Sequence, residues 1–371
     1  MPRIPRVLTG LDRLVEENGD RFKNRRLGLL ANQASADRRL RSAKEVIAHL
    51  LPGQLKALFG PQHGYGGEDQ DNMVETQDAT DPTLDLPVFS LYAASREPDA
   101  SMLDMIDTLI VDLQDVGTRV YTFASTMLNC LKAASKKGTQ VVILDRPNPL
   151  GGSVVEGNLL NRDYYSFVGP YRLPMRHGLT MGELAQLFKD VFDLHTPLEV
   201  IPMKGWRRDM LWPDTGLRWI MPSPNMPLPE TAMVYPGQVI WEGTNLSEGR
   251  GTCRPFEIFG APYLNVRAIH SVLDAEQIPG CELKAYRFRP TFNKWSGKLC
   301  HGFMIHVLDP DAYQPYWSTL NVLKAIMETM IMGNATLRHN LEAGGSLSRL
   351  RSSWLPELED FLEWRKPYLI Y

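Results

Sequence analysis

The chain reads as an α/β protein: a mostly parallel sheet domain over residues 1–229, then a smaller α+β domain over residues 230–371. Three observations predict this. The first half alternates short apolar runs with amphipathic segments, the pattern of βαβ units. The 371 residues exceed the roughly 250–300 at which one hydrophobic core stops growing, so two domains are expected. From Gly205 to Pro236 the texture becomes rich in Trp, Pro and Met, and this stretch is expected to be an irregular linker.

The strands expected in the first half are Arg26–Ala31, Leu55–Phe59, Thr108–Leu113 and Gln140–Leu144. Each is nearly continuous in apolar residues, as required where helices cover both faces of a sheet. Each is followed by polar residues that should emerge at the carboxyl edge, where open α/β sheets bind ligands. Leu40–Leu50 and Thr126–Lys136 carry apolar residues at helical spacing and suit crossover helices, with Gly138 as the stop signal after the second. In the second half, strands are expected around Phe288 and over Gly302–Val307, and helices over Tyr313–Met332 and Leu337–Leu341.

Composition narrows the function. Hydrophobic residues make up 43% and charged residues 22% of the chain, as in folded globular proteins rather than disordered ones. A formal charge of −3 supplies no basic field for a phosphate backbone, so nucleic acid is not the expected partner and a small or neutral substrate is. The four cysteines, Cys130, Cys253, Cys281 and Cys300, include no CxxC pair, which points to reduced thiols rather than a zinc knuckle or disulfide framework. Neither a secretory apolar stretch nor a run long enough to span a bilayer is present, so no membrane partner and a cytoplasmic location are expected.

Three clusters carry the candidate chemistry. Phe59–Met73 places Gln62, His63, Glu68, Asp69 and Asp71 beside four glycines. A loop of this kind after a strand suits an active site, the alternative being a surface loop with solvated acids. Asp112–Phe123 ends a strand with two carboxylates, Gln114, Arg119 and Tyr121. There Asp115 is either chemistry or a helix cap, while Arg119 and Tyr121 suit a sugar ring or a carboxylate. Asp145-Arg146-Pro147-Asn148 adds polar groups at the same edge or forms a tight turn. Trp241–Thr252 holds Glu242, Asn245, Ser247, Glu248 and Arg250; it can face the first domain across a cleft or serve as a hinge. No P-loop, GxGxxG, GxSxG or HExxH motif occurs, so neither a cofactor nor a metal is expected. The remaining histidines, His177 and His301 among them, read as structural.

Taken together, these clusters resemble the exo-β-N-acetylmuramidase family. The likeness runs over nearly the whole chain through LGLLANQAS, LKALFGPQHGYGGE, IDTLIVDLQDVGTRVYTFASTM, VVILDRPNPLGG, GPYRLPMRHGLTMGELA, MPSPNMP and IWEGTNLSEGRGTCRPFEIFGAP. The resemblance implies a Rossmann-like N-terminal domain, an active site in the cleft to the smaller domain, and hydrolysis of terminal β-1,4-linked N-acetylmuramic acid from cell-wall fragments. One departure stands out. Many relatives carry glutamate before the loop histidine, where this chain has Gln62.

An amide does not usefully donate or accept a catalytic proton, so the expectation moves the acid role to Glu68. Glu68 is read as the general acid, its pKa raised by partial burial in the cleft, with Asp115 or Glu242 as the second carboxylate. Participation by the substrate's N-acetyl group is the alternative to that second carboxylate. Gln62, His63, Gln114, Arg119, Tyr121, Asn148, Asn245 and Glu248 are read as substrate-binding. Arg250 or Arg146 is read as the grip on the lactyl carboxylate of muramic acid.

Overall fold

The structure is a computed structural model and describes residues 7–70, 74–93, 95–273, 278–327 and 345–371. Its larger sheet contains β1 (Leu27–Ala31), β2 (Leu55–Gly60), β3 (Ala79–Thr80), β4 (Pro87–Ser90), β5 (Thr108–Asp112), β6 (Gln140–Leu144) and β7 (Leu198–Ile201). The order is β3-β4-β2-β1-β5-β6-β7, all parallel except β3, which runs antiparallel to β4. β1 and β5 are buried along their whole length, as their unbroken apolar sequence requires. From β1 the chain winds outward through β2 to β4, and from β5 outward through β6 to β7, so the winding reverses between β1 and β5. Parallel pairing brings Ala31 level with Asp112 there, and the residues after both strands open onto one crevice.

The helices of this half are α1 (Gly10–Glu16), α2 (Ala43–Leu50), α3 (Ala100–Asp104), α4 (Phe123–Lys137), α5 (Met181–Val191) and α6 (Trp212–Thr215). Thr9, Ser42 and Thr180 open α1, α2 and α5 with capping boxes, each satisfying two backbone donors. Gly138 ends α4 at φ 77°, the left-handed stop expected of it. The four expected strands and two expected helices are present with small shifts at their ends.

The second sheet is antiparallel, ordered β8-β10-β9, from β8 (Ile258–Ala261), β9 (Cys281–Phe288) and β10 (Cys300–Val307). It is accompanied by α7 (Pro229–Gln238), α8 (Val266–Val272), α9 (Pro315–Met327) and α10 (Leu347–Trp364). The expected helix Leu337–Leu341, and the end of the one expected over Tyr313–Met332, lie outside the described residues.

The structure corrects the linker expectation for Gly205–Pro236. Trp206, Met210, Trp212 and Met226 are buried, because a stretch this apolar is stable only when packed. The two halves also share one hydrophobic cluster, running from Leu30 and Phe59 through Tyr235 and Phe256 to Leu320 and Phe361. The last residues return to the first sheet: Arg365 donates to the carbonyls of Gly152 and Gly178, and Tyr371 Oη donates to Asp145 Oδ2 at 2.6 Å.

Candidate active site

A cavity of about 490 Å³ lies between the halves. The turn after β2 contributes Gln62 and His63, and the approach to α4 contributes Tyr121 and Thr122. Across from them stand Tyr235 of α7, then Glu242 and Arg250 from the glycine-rich loop that follows. Phe123, Met175, Met226 and Phe256 supply apolar wall, so the cavity pairs a few polar groups with hydrophobic surface, as small-molecule sites do.

His63 holds a left-handed backbone, φ 75°, between Gln62 and Gly64. For a residue with a Cβ this costs on the order of 1–3 kcal/mol, a strain characteristic of functional turns. Its Nδ1 lies 2.6 Å from the Asp69 carbonyl. A carbonyl only accepts, so Nδ1 carries the proton and Nε2 keeps its lone pair. Burial, with help from Arg250, holds the imidazole below its ordinary pKa. Gln62 is 5% exposed, and its Oε1 accepts from Thr122 Oγ1 at 2.7 Å. Thr122 precedes α4 without capping it, its hydroxyl being turned to the cavity residue instead.

Arg250 is the electrostatic centre of the opposite wall. Its Nη2 donates to Glu242 Oε1 at 2.6 Å, its Nε lies 3.3 Å from Glu248 Oε1, and the guanidinium sits 5.1 Å from the Phe256 ring centre. The residue is only 6% exposed, yet Nη1 has no partner. A buried guanidinium N–H without an acceptor costs about 1–3 kcal/mol unless a ligand or water supplies one. Glu248 is held on its other oxygen by Lys294 Nζ at 3.0 Å, which also donates to the carbonyls of Trp241 and Leu246. Lys294 therefore pins the loop that presents Glu242 and Arg250.

The expected convergence of Glu68, Asp115 and Glu242 does not occur. Glu68 is exposed, its carboxylate folded back over the backbone of Gly64 and Gly66, and it borders a separate cavity with Lys44 and Asp81. The turn built by left-handed His63, Gly64 and Gly67 directs it there, so the partial burial expected of Glu68 is absent. Asp115 is buried behind the cavity wall: Oδ2 accepts from Gly117 N at 2.6 Å and lies 3.4 Å from His177 Nε2. Its charge nonetheless helps raise the pKa of the Tyr121 and Tyr235 hydroxyls, after burial as the main cause. Glu242 is the one carboxylate among the described residues that line the cavity.

Several expected binding residues are spent on the fold. Arg146 forms a buried bidentate pair with Asp112, 2.9 Å on its second bond, and donates to Ala36 O. Gln114 Nε2 donates to the carbonyls of Asp115 and Pro147. Arg119 Nη1 donates to those of Asn158 and Leu173, and Asn148 braces Leu150 N and Leu179 O. Asn245 accepts from the Tyr263 hydroxyl and is exposed. Of the expected set, Gln62, His63, Tyr121, Glu242 and Arg250 line the cavity, and Glu248 supports it from behind. The expectation missed Ser223, Asn225 and Tyr235 on the wall and Lys294 beneath the loop. MPSPNMP is part of the family resemblance, but nothing in its pattern shows which side chains face a ligand. Among the described residues no group of three His, Cys, Asp or Glu is placed to hold a metal ion.

Comparison with known proteins agrees with this architecture. Residues 27–230 match the family described as exo-beta-N-acetylmuramidase NamZ, N-terminal, and residues 233–371 match its C-terminal counterpart. The chain is 39% identical to the peptidoglycan beta-N-acetylmuramidase NamZ of Bacillus subtilis (strain 168), over 99% of this chain and 92% of that protein. A crystal structure of a DUF1343 family protein from Bacteroides fragilis NCTC 9343 superposes with a TM-score of 0.86 at 31% identity, covering both chains fully. A second from the same organism gives 0.76 at 26% identity, over 98% of this chain and 99% of that one. The chain belongs to the exo-β-N-acetylmuramidase NamZ family.

Proposed function

We propose that this protein is a glycoside hydrolase that releases N-acetylmuramic acid from the non-reducing end of peptidoglycan fragments. The observation that carries the reading is Arg250, the one arginine or lysine among the described residues that line the interdomain cavity. The lactyl carboxylate distinguishes muramic acid from glucosamine, and a charge-assisted N–H···O bond is what it would seek. Family membership and the likeness to the Bacillus subtilis enzyme support the same substrate.

In this reading the sugar enters with its carboxylate on Arg250 and an apolar face against Phe256 and Met175. With one carboxylate on the wall, a substrate-assisted displacement is favoured: the substrate's acetamido oxygen attacks the anomeric carbon as the glycosidic C–O bond breaks, the aglycone oxygen leaves with the bonding pair and takes its proton from solvent, and water then opens the oxazolinium ring. The Glu242 carboxylate and the His63 Nε2 lone pair are then the groups that orient the acetamido and take a proton from the incoming water. Gln62 stands beside them as an amide, which cannot protonate the departing oxygen. Turnover should therefore favour aglycones that leave without a proton.

That last feature also favours a second reading, a muramyl-sugar binding protein with little turnover. One experiment separates the two: the purified protein is incubated with a muramic-acid-terminated β-1,4 disaccharide and its glucosamine-terminated counterpart. Free N-acetylmuramic acid from the first alone supports the hydrolase. Cleavage of only the second overturns the specificity, and tight binding without release establishes the binder.

Among the described residues no helix is long and apolar enough to cross a membrane, and all four cysteines are free. Free thiols suit a reducing compartment, so we place the reaction in the cytoplasm, on imported wall fragments. We also place the domain boundary at residues 229 and 230, where α7 begins.

A further inference from the structure

The loop between β9 and β10 reaches back to the loop that carries Glu242 and Arg250. Thr291 N and Oγ1 donate to Gly251 O at 2.9 and 3.0 Å, and Trp295 Nε1 donates to Asn245 O at 2.6 Å. Between these two anchors Asn293 and Trp295 both hold a left-handed backbone, φ 64° and 62°. Asn tolerates that region, but a bulky residue rarely adopts it, and such strain persists only where the surroundings over-determine it. The residue presented between them is Lys294.

Lys294 Nζ occupies a cage made only of acceptors: the carbonyls of Trp241, Glu242 and Leu246 at 2.7, 3.3 and 3.1 Å, and Glu248 Oε2 at 3.0 Å. An ammonium has three donors and no acceptor, so the cage suits a cation. Charge then alternates toward the cavity. The other Glu248 oxygen lies 3.3 Å from Arg250 Nε, and Arg250 Nη2 bonds Glu242 Oε1 at 2.6 Å. The row Lys294–Glu248–Arg250–Glu242 is thus neutral as a whole, with two cations and two carboxylates. Glu248 and Arg250 are buried, where solvent and salt screen charge least. Without the ammonium the row carries one carboxylate in excess, directly behind the guanidinium that faces the cavity.

We infer that Lys294 sets the selectivity of the cavity for a carboxylate-bearing sugar, by cancelling Glu248 so that the charge of Arg250 is available to the ligand. This rests on the reading in which the lactyl carboxylate docks on Arg250. Lys294 is not among the described residues that line the cavity, so it reaches the sugar only through Glu248 and Arg250. A neutral sugar has no carboxylate for that charge to meet and does not sense the difference. A side chain that merely propped the loop would affect both sugars alike.

The test is calorimetric titration of the intact protein and three variants with N-acetylmuramic acid and N-acetylglucosamine, thermal unfolding showing that each variant is folded. Lys294→Gln, which keeps an N–H for the carbonyls and removes the charge, should weaken N-acetylmuramic acid about tenfold or more and leave N-acetylglucosamine within about threefold. Adding Glu248→Gln removes the excess carboxylate and should return N-acetylmuramic acid to within about threefold of the native value. Glu248→Gln alone leaves the carbonyl bonds of Lys294 in place and shifts the balance the other way, so it tests the same charge even where Lys294→Gln does not fold. It should tighten N-acetylmuramic acid about threefold or more. Equal loss of both sugars, no recovery in the double variant, or no gain from Glu248→Gln overturns the inference and leaves the reading of the cavity intact. A native protein that binds both sugars equally overturns that reading, and the role of Lys294 with it.

Discussion

Replacing Gln62 by glutamate tests the catalytic reading at its most exposed point. The side chain is buried, and its Oε1 already accepts from Thr122, so a carboxyl of the same shape fits without repacking. Its protonation follows from a comparison inside the molecule. Asp145, fully buried and accepting from Tyr371, Thr180 and Gly182, is still pushed up to about 6 by burial. Arg250, whose charge reaches the adjacent His63, opposes this only in part, because Glu242 and Glu248 hold it. Burial therefore raises the introduced carboxyl toward the protonated state that a general acid needs. A positioned acid accelerates departure of a poor leaving group by roughly 10²–10⁴-fold, about 3–5 kcal/mol of barrier. A nitrophenyl group, which leaves as a stable anion, gains little.

The assay compares kcat of the native protein and Gln62→Glu at pH 6 on the muramic-acid-terminated disaccharide and on a nitrophenyl N-acetylmuraminide. The disaccharide rate should rise by about 10² or more while the nitrophenyl rate stays within about threefold. A folded variant with unchanged KM and no gain on the disaccharide would refute the argument that position 62 is where the proton is missing.

Other outcomes follow from the same geometry. Glu242→Gln should lower kcat by about 10² or more, whereas Glu68→Gln, on an exposed side chain in another cavity, should stay within about threefold; the reverse order would restore the acid role to Glu68. Arg250→Lys removes the planar fork and should raise KM for N-acetylmuraminides about tenfold or more, yet leave N-acetylglucosaminide binding nearly unchanged, as parallel titrations would show. The His63 imidazole is held below its ordinary value, so kcat/KM should fall on the acidic side as the ring protonates, below pH 6.5. The unfolded chain then binds more protons than the folded one, so this group's contribution to stability is also lost as pH falls through that range. A pH profile flat down to 4 would remove His63 from the reaction. Gly117→Ala places a Cβ at φ 77° against Asn148 Oδ1 and should cost about 2–4 kcal/mol in urea unfolding.

The sequence by itself determined the frame. The nearly continuous apolar runs at β1, β2, β5 and β6 are satisfied by burial on both faces for most of their length, and the polar residues after them must then emerge at one edge. Gly138 could be read as a helix stop because its signal is local. Gln62 and His63 were legible for the same reason, since they follow a strand end immediately.

Tertiary structure decided which of the many polar groups were left for chemistry. Arg146 and Glu68 look equally available in the sequence. One is consumed by Asp112, 34 positions away, and the other is turned outward by a left-handed backbone at His63. Arg250 kept an open N–H only because Glu242, Glu248 and the distant Lys294 fixed its other contacts, and Ser223 and Asn225 reached the wall because a buried Trp- and Met-rich segment packs across the sheet edge. A side chain's direction and its last unsatisfied hydrogen bond depend on partners far along the chain, and a local pattern carries no record of them.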